Sequence, residues 1–250
     1  MGYRRAKEYL SEHYPWILAG CIITLAIHFI IYLSTDHAQK YIFVHIPKTG
    51  GTTLNQWIDQ QHTSGLCKQI RSAHTHYLDG NTARRMGYQP ITIIREPSER
   101  FVSSFYYWRH GSKDIAQWQR PLSWRNGQNI DDPNQFIKIL SDEQHPQHKN
   151  IIKVISQRDQ FTHRHHFLPQ NLWLNAKDQK TIIICYDKKN LNNRIQTQFD
   201  ANNINCPIHE MPNINQTLKP KQWNLSEESI RWLKKTYSHD FELWHRHCEK

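Results

Sequence analysis

The 250-residue chain contains no C-x-x-C pair, which removes the commonest arrangement for a structural zinc site. It has no G-x-x-x-x-G-K segment, the usual cradle for a magnesium-bound nucleotide, and no D-x-D triplet of the kind that metal-dependent glycosyltransferases carry. Internal repeats are absent, and no long Gly/Ser- or Pro-rich linker divides the chain, so a solenoid or a string of tethered domains is excluded. Acidic residues are in deficit: 22 Asp and Glu face 32 Lys and Arg, a formal net charge of +10. That balance favours an acidic partner, such as nucleic acid, an anionic membrane or an anionic sugar polymer. The basic residues are scattered rather than gathered into one arm, and no nucleic-acid partner is expected. Seventeen histidines would add charge in a mildly acidic compartment, and their number weakens any argument from a single one.

What is present begins at the N-terminus. Residues 16–33, WILAGCIITLAIHFIIYL, carry no formal charge. A membrane span needs roughly 20 apolar residues, with about 17 as the lower limit. Arg4, Arg5 and Lys7 precede the run, which keeps residues 1–15 in the cytosol and carries the remainder across the membrane. The alternative is a cleaved signal peptide, whose apolar region would be about 7–15 residues. Of the STDHAQK that follows, only Ala38 resembles a cleavage position. The expectation is therefore an uncleaved, single-pass type II signal anchor, a short stem at 34–40 and one luminal domain at 41–250. Two N-glycosylation triplets, at Asn215 and Asn224, agree with a secretory location. Beyond the anchor stand Cys67, Cys185, Cys206 and Cys248, which in an oxidising lumen permit one or two disulfides and three full pairings.

Three β-branched apolar runs read as buried strands: YIFVHI (41–46), ITIIR (91–95) and TIIICY (181–186). Helices are expected from the glycines at 50 and 51 through TTLNQWIDQ, over SERFVSSFYYWRH, near PNQFIKIL and NIIKVIS, and after DKKNLNNRIQTQF. One long last helix opens with Ser226 as N-cap and places Ile230, Leu233, Tyr237 and Phe241 on a packing face without chemistry. Strands alternating with helices predict an α/β domain with a mainly parallel sheet and ligands at the carboxyl ends of the strands.

Two segments carry chemistry. In HIPKTGGTT a strand runs into Lys48, Thr49, Gly50, Gly51, Thr52 and Thr53 and then a helix, with the lysine before the glycines rather than after them. Backbone N–H groups at a helix N-terminus, closed up by glycine and flanked by an ammonium and hydroxyls, suit a phosphate-like anion. In ITIIREPSERFVSSFYYW, Arg95 ends a strand and Ser103 lies on the next helix, so a guanidinium fork and a hydroxyl could meet a second phosphate. Taken alone, Arg95 reads better as an ion-paired residue at a helix start, and Ser103 as an ordinary helix serine.

Together these segments resemble the membrane-bound carbohydrate sulfotransferases, most closely the heparan-sulfate and uronyl 2-O-sulfotransferases. HIPKTGGTT looks like their 5′-phosphosulfate loop and REPSERFVSSFYYW like their 3′-phosphate motif, in the family's order. AHTHYLDG sits where those enzymes carry a histidine pair, and HFLPQNLWL (166–174) resembles a segment leading to the acceptor side. The likeness is strong over residues 41–55 and 74–111 and patchy afterwards. It implies a P-loop-like three-layer domain and the donor 3′-phosphoadenosine 5′-phosphosulfate (PAPS), without a required metal. Lys48 to Thr53 would hold the 5′-phosphosulfate, and Arg95 and Ser103 the 3′-phosphate. The lysine ahead of the glycines then meets the charge of a departing nucleoside bisphosphate rather than a magnesium triphosphate.

Sulfuryl transfer to a sugar hydroxyl needs alignment, a base and stabilisation of the leaving oxygen. Lys48 is the candidate for the last task. The resemblance favours His76 as base with His74 assisting; flanking Thr75, both would point one way on an extended segment. His45, inside the first strand, packs or orients the loop. An anionic or neutral polysaccharide acceptor would be met by cations from Arg109 with Lys113, from HRHH (163–166, with Arg164) or from KPK (219–221), each otherwise a solvated basic face. Tyr106, Tyr107 and Trp108 line a sugar groove or pack the helix. The resemblance implies a Golgi membrane location and 2-O sulfation of a uronic acid in a glycosaminoglycan-like chain as the particular case; oligomeric state stays open. The rival readings are a non-catalytic relative that binds acidic glycans and a nucleotide-dependent kinase, which would need a lysine after the glycines and an acidic magnesium ligand.

Overall fold

The computed structural model describes residues 39–73, 78–110, 130–156, 164–174, 180–208, 211 and 223–249. The expected span at 16–33 lies outside these residues; among the described residues no helix is long and apolar enough to cross a membrane. The strands are β1 (Tyr41–Val44), β2 (Ile70–Ser72), β3 (Gln89–Ile94) and β4 (Ile182–Cys185). The helices are α1 (Gly51–Thr63), α2 (Gly80–Arg85), α3 (Pro97–His110), α4 (Pro133–Ser141), α5 (His148–Ser156), α6 (Leu191–Ala201), α7 (Glu227–Thr236) and α8 (Ser238–Cys248). Two 3-10 turns, Arg164–Phe167 and Gln170–Trp173, precede β4.

All strand pairs are parallel, in the order β2-β1-β3-β4, so every strand delivers its carboxyl end to one edge of the sheet. The period of two along β1 sorts its side chains onto both faces. Tyr41 and Phe43 join Leu54, Trp57 and Ile58 of α1 and Ile195 and Phe199 of α6. Ile42 and Val44 join Ala83 of α2 and Trp173 of the second 3-10 turn, with Leu243 and Trp244 of α8 packed alongside. Helical layers therefore cover both sheet faces, as strands without a polar face require. A further cluster, including Phe101, Phe105, Phe136, Phe167, Leu233 and Tyr237, seats α3 against α4 and α7. Burial of so many aromatics fixes α3 firmly; truncating one such phenylalanine typically costs about 3–5 kcal/mol.

The expected strands appear; β1 and β4 are a little shorter than their apolar runs, β3 begins two residues earlier and ends one earlier than its run, and β2 and α2 are additions. Ile70–Ser72 carries one buried residue in three, too short and too polar for a period-two signal. The brief α2 starts because the Asp79 side chain accepts from the Thr82 N–H at 2.8 Å. Ser226 caps α7 as expected, accepting from the Ser229 N–H at 3.1 Å. The single long helix expected after it is in fact two, broken at Tyr237 (φ −112°, ψ 31°). That residue is buried and donates its hydroxyl to the Phe167 carbonyl at 2.7 Å, and the break turns Asp240 into the interior.

Of the three open disulfide pairings, the structure has Cys67–Cys206 and Cys185–Cys248. The first joins the chain after α1 to the chain after α6 within one core cluster. The second staples the end of α8 to the carboxyl end of β4.

Candidate active site

The loop after β1 is shaped by backbone that only certain residues tolerate. Gly50 sits at φ +88° as the N-cap of α1, where it provides no capping side chain. A Cβ there would stand 2.9 Å from Cε2 of Tyr186. Gly51 opens the helix directly over His45; a Cβ at this position would come within 2.2 Å of the imidazole Cδ2. His45 is itself buried and fixed: the Asn55 amide donates to Nδ1 at 3.0 Å, and the Ser72 hydroxyl donates to Asn55 Oδ1 at 2.6 Å. An amide donating into Nδ1 leaves the neutral ring's proton on Nε2. His45, which lies just past the end of β1 rather than inside it, thus orients the loop. Thr49 is fully buried, and its hydroxyl donates to the Ile46 carbonyl at 2.8 Å. Its side chain therefore closes the turn, which leaves its main chain as the part an anion could meet. Thr52 and Thr53 are half-buried in the first turn of α1.

Lys48 adopts φ +67°, a left-handed conformation that costs a non-glycine residue roughly 1–2 kcal/mol. Strain of this kind clusters at ligand clamps. Its Nζ lies 3.7 Å above the centre of the Tyr107 ring. Burial pushes the Tyr107 hydroxyl up to about 12, so a neutral phenol underlies the ammonium.

Arg95 follows β3 on the same sheet edge. Its Nε and Nη2 donate to Glu99 at 3.3 and 3.2 Å, and Nη1 donates to the Lys48 carbonyl at 3.4 Å. The guanidinium lies over Tyr186, 4.6 Å from the ring centre. Tyr186 therefore touches both motifs, with its face on Arg95 and its edge toward Gly50. Arg100 braces the loop from α3: Nε donates to the Pro47 carbonyl and Nη1 to the Leu168 carbonyl, both at 2.9 Å. Burial lowers the Arg100 pKa, and the charge of Asp240 opposes that shift. Since Arg100 and Tyr107 both reach the loop, the face of α3 that repeats at three and four residues is turned toward it. The buried Ser103 belongs to that face, between them.

The other expected residues are distributed differently. His74 and His76 lie at 74–77, outside the described residues. Ser72, at the carboxyl end of β2, is tied through Asn55 to His45. Arg109 is half-buried and ion-paired with Asp131. Arg164 begins the first 3-10 turn. His165 and His166 are buried rather than part of a solvated basic face, with His166 edge-on to Tyr107 at 4.9 Å between ring centres. Asn224 is exposed, its carbonyl accepting from Asn134 Nδ2 at 3.0 Å, and Asn215 lies outside the described residues. Among the described residues, no group of three or more His, Cys, Asp or Glu is placed to hold a metal ion.

Several participants carried no recognisable sequence signal. Tyr186, the last residue of the third apolar run, directly follows β4, so its position at the ligand edge could have been inferred. Gln170 and Asp240 could not: the Gln170 side chain bonds the Arg95 main chain, and Asp240 holds the turn that carries Gln170, contacts spanning 75 and 70 residues. Arg100 lies inside the second motif, yet nothing local distinguishes a carbonyl brace from a surface arginine.

A glycine-closed helix N-terminus beside an arginine at the end of the adjacent parallel strand gives this α/β protein a sheet edge suited to phosphate-like anions. The model of the Sulfotransferase family matches residues 32–245, and the chain belongs to that family. The family implies sulfuryl transfer with PAPS as donor. Neither the search of curated proteins nor that of solved structures gives a match.

Proposed function

We propose that the chain is a carbohydrate O-sulfotransferase, anchored in the Golgi membrane by residues 16–33 with its catalytic domain in the lumen. The acceptor is a hydroxyl of a polysaccharide or glycan, with the 2-O position of a uronic acid as the specific case. The observation that carries this reading is the convergence of the Lys48 loop and Arg95 at one edge of a parallel sheet, joined through the Lys48 carbonyl and with Tyr186 against Arg95 and beside Gly50. The +10 charge suits an anionic polymer, and two disulfides suit an oxidising compartment.

In this reading the loop from Lys48 to Thr53 receives the 5′-phosphosulfate, and Arg95 and Ser103 receive the 3′-phosphate. Arg95 would exchange part of its pairing with the half-exposed Glu99 for the ligand. The acceptor oxygen attacks sulfur in line. The bond from sulfur to the 5′-phosphate oxygen breaks, the proton passes to His76 with His74 assisting, and adenosine 3′,5′-bisphosphate departs. Lys48, leaving its place above Tyr107, neutralises the oxygen that carries the new charge. Arg109 and Arg164 are the candidate acceptor cations, Arg109 at the expense of its pairing with Asp131.

The test is transfer of labelled sulfate from PAPS to a panel of desulfated glycosaminoglycans and neutral glycans by the full chain. Label on a polysaccharide, lost in Lys48→Ala and His76→Ala, is the expected result. Donor binding without transfer to any glycan would favour a non-catalytic glycan-binding relative.

A further inference from the structure

We propose that Gln170 is a positioning residue that sets the Arg95 fork from behind, with Asp240 as its anchor. The proposal rests on the donor reading above and adds to it a residue that touches no ligand. The ladder between β3 and β4 ends with the Tyr186 N–H donating to the Ile94 carbonyl at 2.7 Å. The next residue is Arg95, and one side chain takes both of its main-chain polar groups. Gln170 Oε1 accepts from the Arg95 N–H at 2.9 Å, and Nε2 donates to the Arg95 carbonyl at 2.8 Å. Among the neutral side chains only an amide offers an acceptor and a donor in this arrangement, so Gln170 serves as an extra rung of the sheet.

That rung is rigid. Gln170 is fully buried, where water cannot stand in for a missing partner. Its own N–H donates to Asp240 Oδ2 at 2.7 Å, and the N–H of Asn171 donates to Oδ1 at 2.9 Å. Asp240 is equally buried, and α8, which carries it, is stapled to β4 by Cys185–Cys248. Forward of the sheet the guanidinium meets the half-exposed Glu99, the Lys48 carbonyl at a long 3.4 Å and the face of Tyr186, contacts that hold the side chain and not the main chain it springs from. The direction in which Arg95 leaves the sheet is therefore set by the amide behind it. A fork must match its phosphate in plane and angle, so a small rotation of this peptide moves the guanidinium off its target.

The experiment compares calorimetric affinities of the full chain for adenosine 3′,5′-bisphosphate and adenosine 5′-monophosphate, which lacks the phosphate assigned to Arg95. In Gln170→Leu the advantage of the bisphosphate is expected to fall about tenfold, the size of a lost charge-assisted hydrogen bond, while monophosphate affinity stays within about threefold. Adding Arg95→Ala to Gln170→Leu then changes the ratio little. Gln170→Glu supplies the second arm: its carboxylate repels the Arg95 carbonyl at pH 8, whereas the protonated acid at pH 5.5 restores one donor and one acceptor. Measured against wild type at the same pH, its bisphosphate advantage should recover as pH falls. Equal weakening of both ligands in Gln170→Leu, or an unchanged ratio, overturns the proposal. If Gln170→Leu does not fold, a Gln170→Glu ratio that fails to recover overturns it. A wild-type chain that does not prefer the bisphosphate contradicts the donor reading instead.

Discussion

Nη1 of Arg95 donates to the main-chain carbonyl of Lys48 at 3.4 Å, across 47 residues of sequence. The two segments that suggested anion binding separately are thus parts of one surface, with Tyr186 packed against both. Replacing Arg95 with lysine keeps the charge and loses the fork. We expect Arg95→Lys to weaken adenosine 3′,5′-bisphosphate binding about 10- to 100-fold, from the loss of one or more hydrogen bonds to a charged group. Titration calorimetry would check this, with the thermal midpoint as a control for folding.

Gly51→Ala should be destabilising although alanine is the better helix former. The new methyl would stand 2.2 Å from a buried imidazole that Asn55 holds in place. Overpacking of this kind typically costs about 1–3 kcal/mol, more than the propensity gain of about 1 kcal/mol. Denaturant unfolding of Gly51→Ala alone and combined with His45→Ala would show it. Removing the ring should restore part of the loss, and no recovery would place the strain elsewhere.

The Tyr107 hydroxyl sets an alkaline limit. Its pKa is about 10 in an unfolded chain and is raised to about 12 in the fold. Between these values the native state holds a proton that the unfolded state releases, so its contribution is complete below pH 10 and fades as pH rises toward 12. Two units correspond to about 3 kcal/mol. Tyr107→Phe should therefore lose less stability than wild type between pH 9 and pH 11, compared as melting temperatures.

Cys185–Cys248 closes a loop with a sequence separation of 63 and fixes the helix that carries Asp240. Replacing both cysteines with serine should cost about 2–4 kcal/mol. If α8 supports Arg95 through Gln170, the same variant should also lose donor affinity. Unchanged affinity with a lowered melting temperature would separate the staple from the site.

The parallel α/β architecture was legible in the sequence because β1, β3 and β4 are nearly continuous apolar runs, the mark of strands buried on both faces. The loop and Arg95 were legible because glycine before a helix and arginine after a strand have local causes. Ile70–Ser72 was not, because an edge strand with one buried residue leaves no periodicity. The break at Tyr237 escaped for the opposite reason. Leu233, Tyr237 and Phe241 all reach one cluster, so the apolar stripe runs on while the helix does not. Gln170 and Asp240 derive their roles from partners 70 and more residues away, and no local pattern encodes such contacts.

The most direct test is thermal unfolding of the full chain with adenosine 3′,5′-bisphosphate and with ATP, each with and without magnesium. A ligand that binds only the folded state adds about 2.7 kcal/mol of stability at a hundredfold excess over its Kd. The account predicts a magnesium-independent rise in Tm with the bisphosphate that disappears in Lys48→Ala and Arg95→Ala. A rise with magnesium-ATP alone would contradict it and make the site that of a kinase.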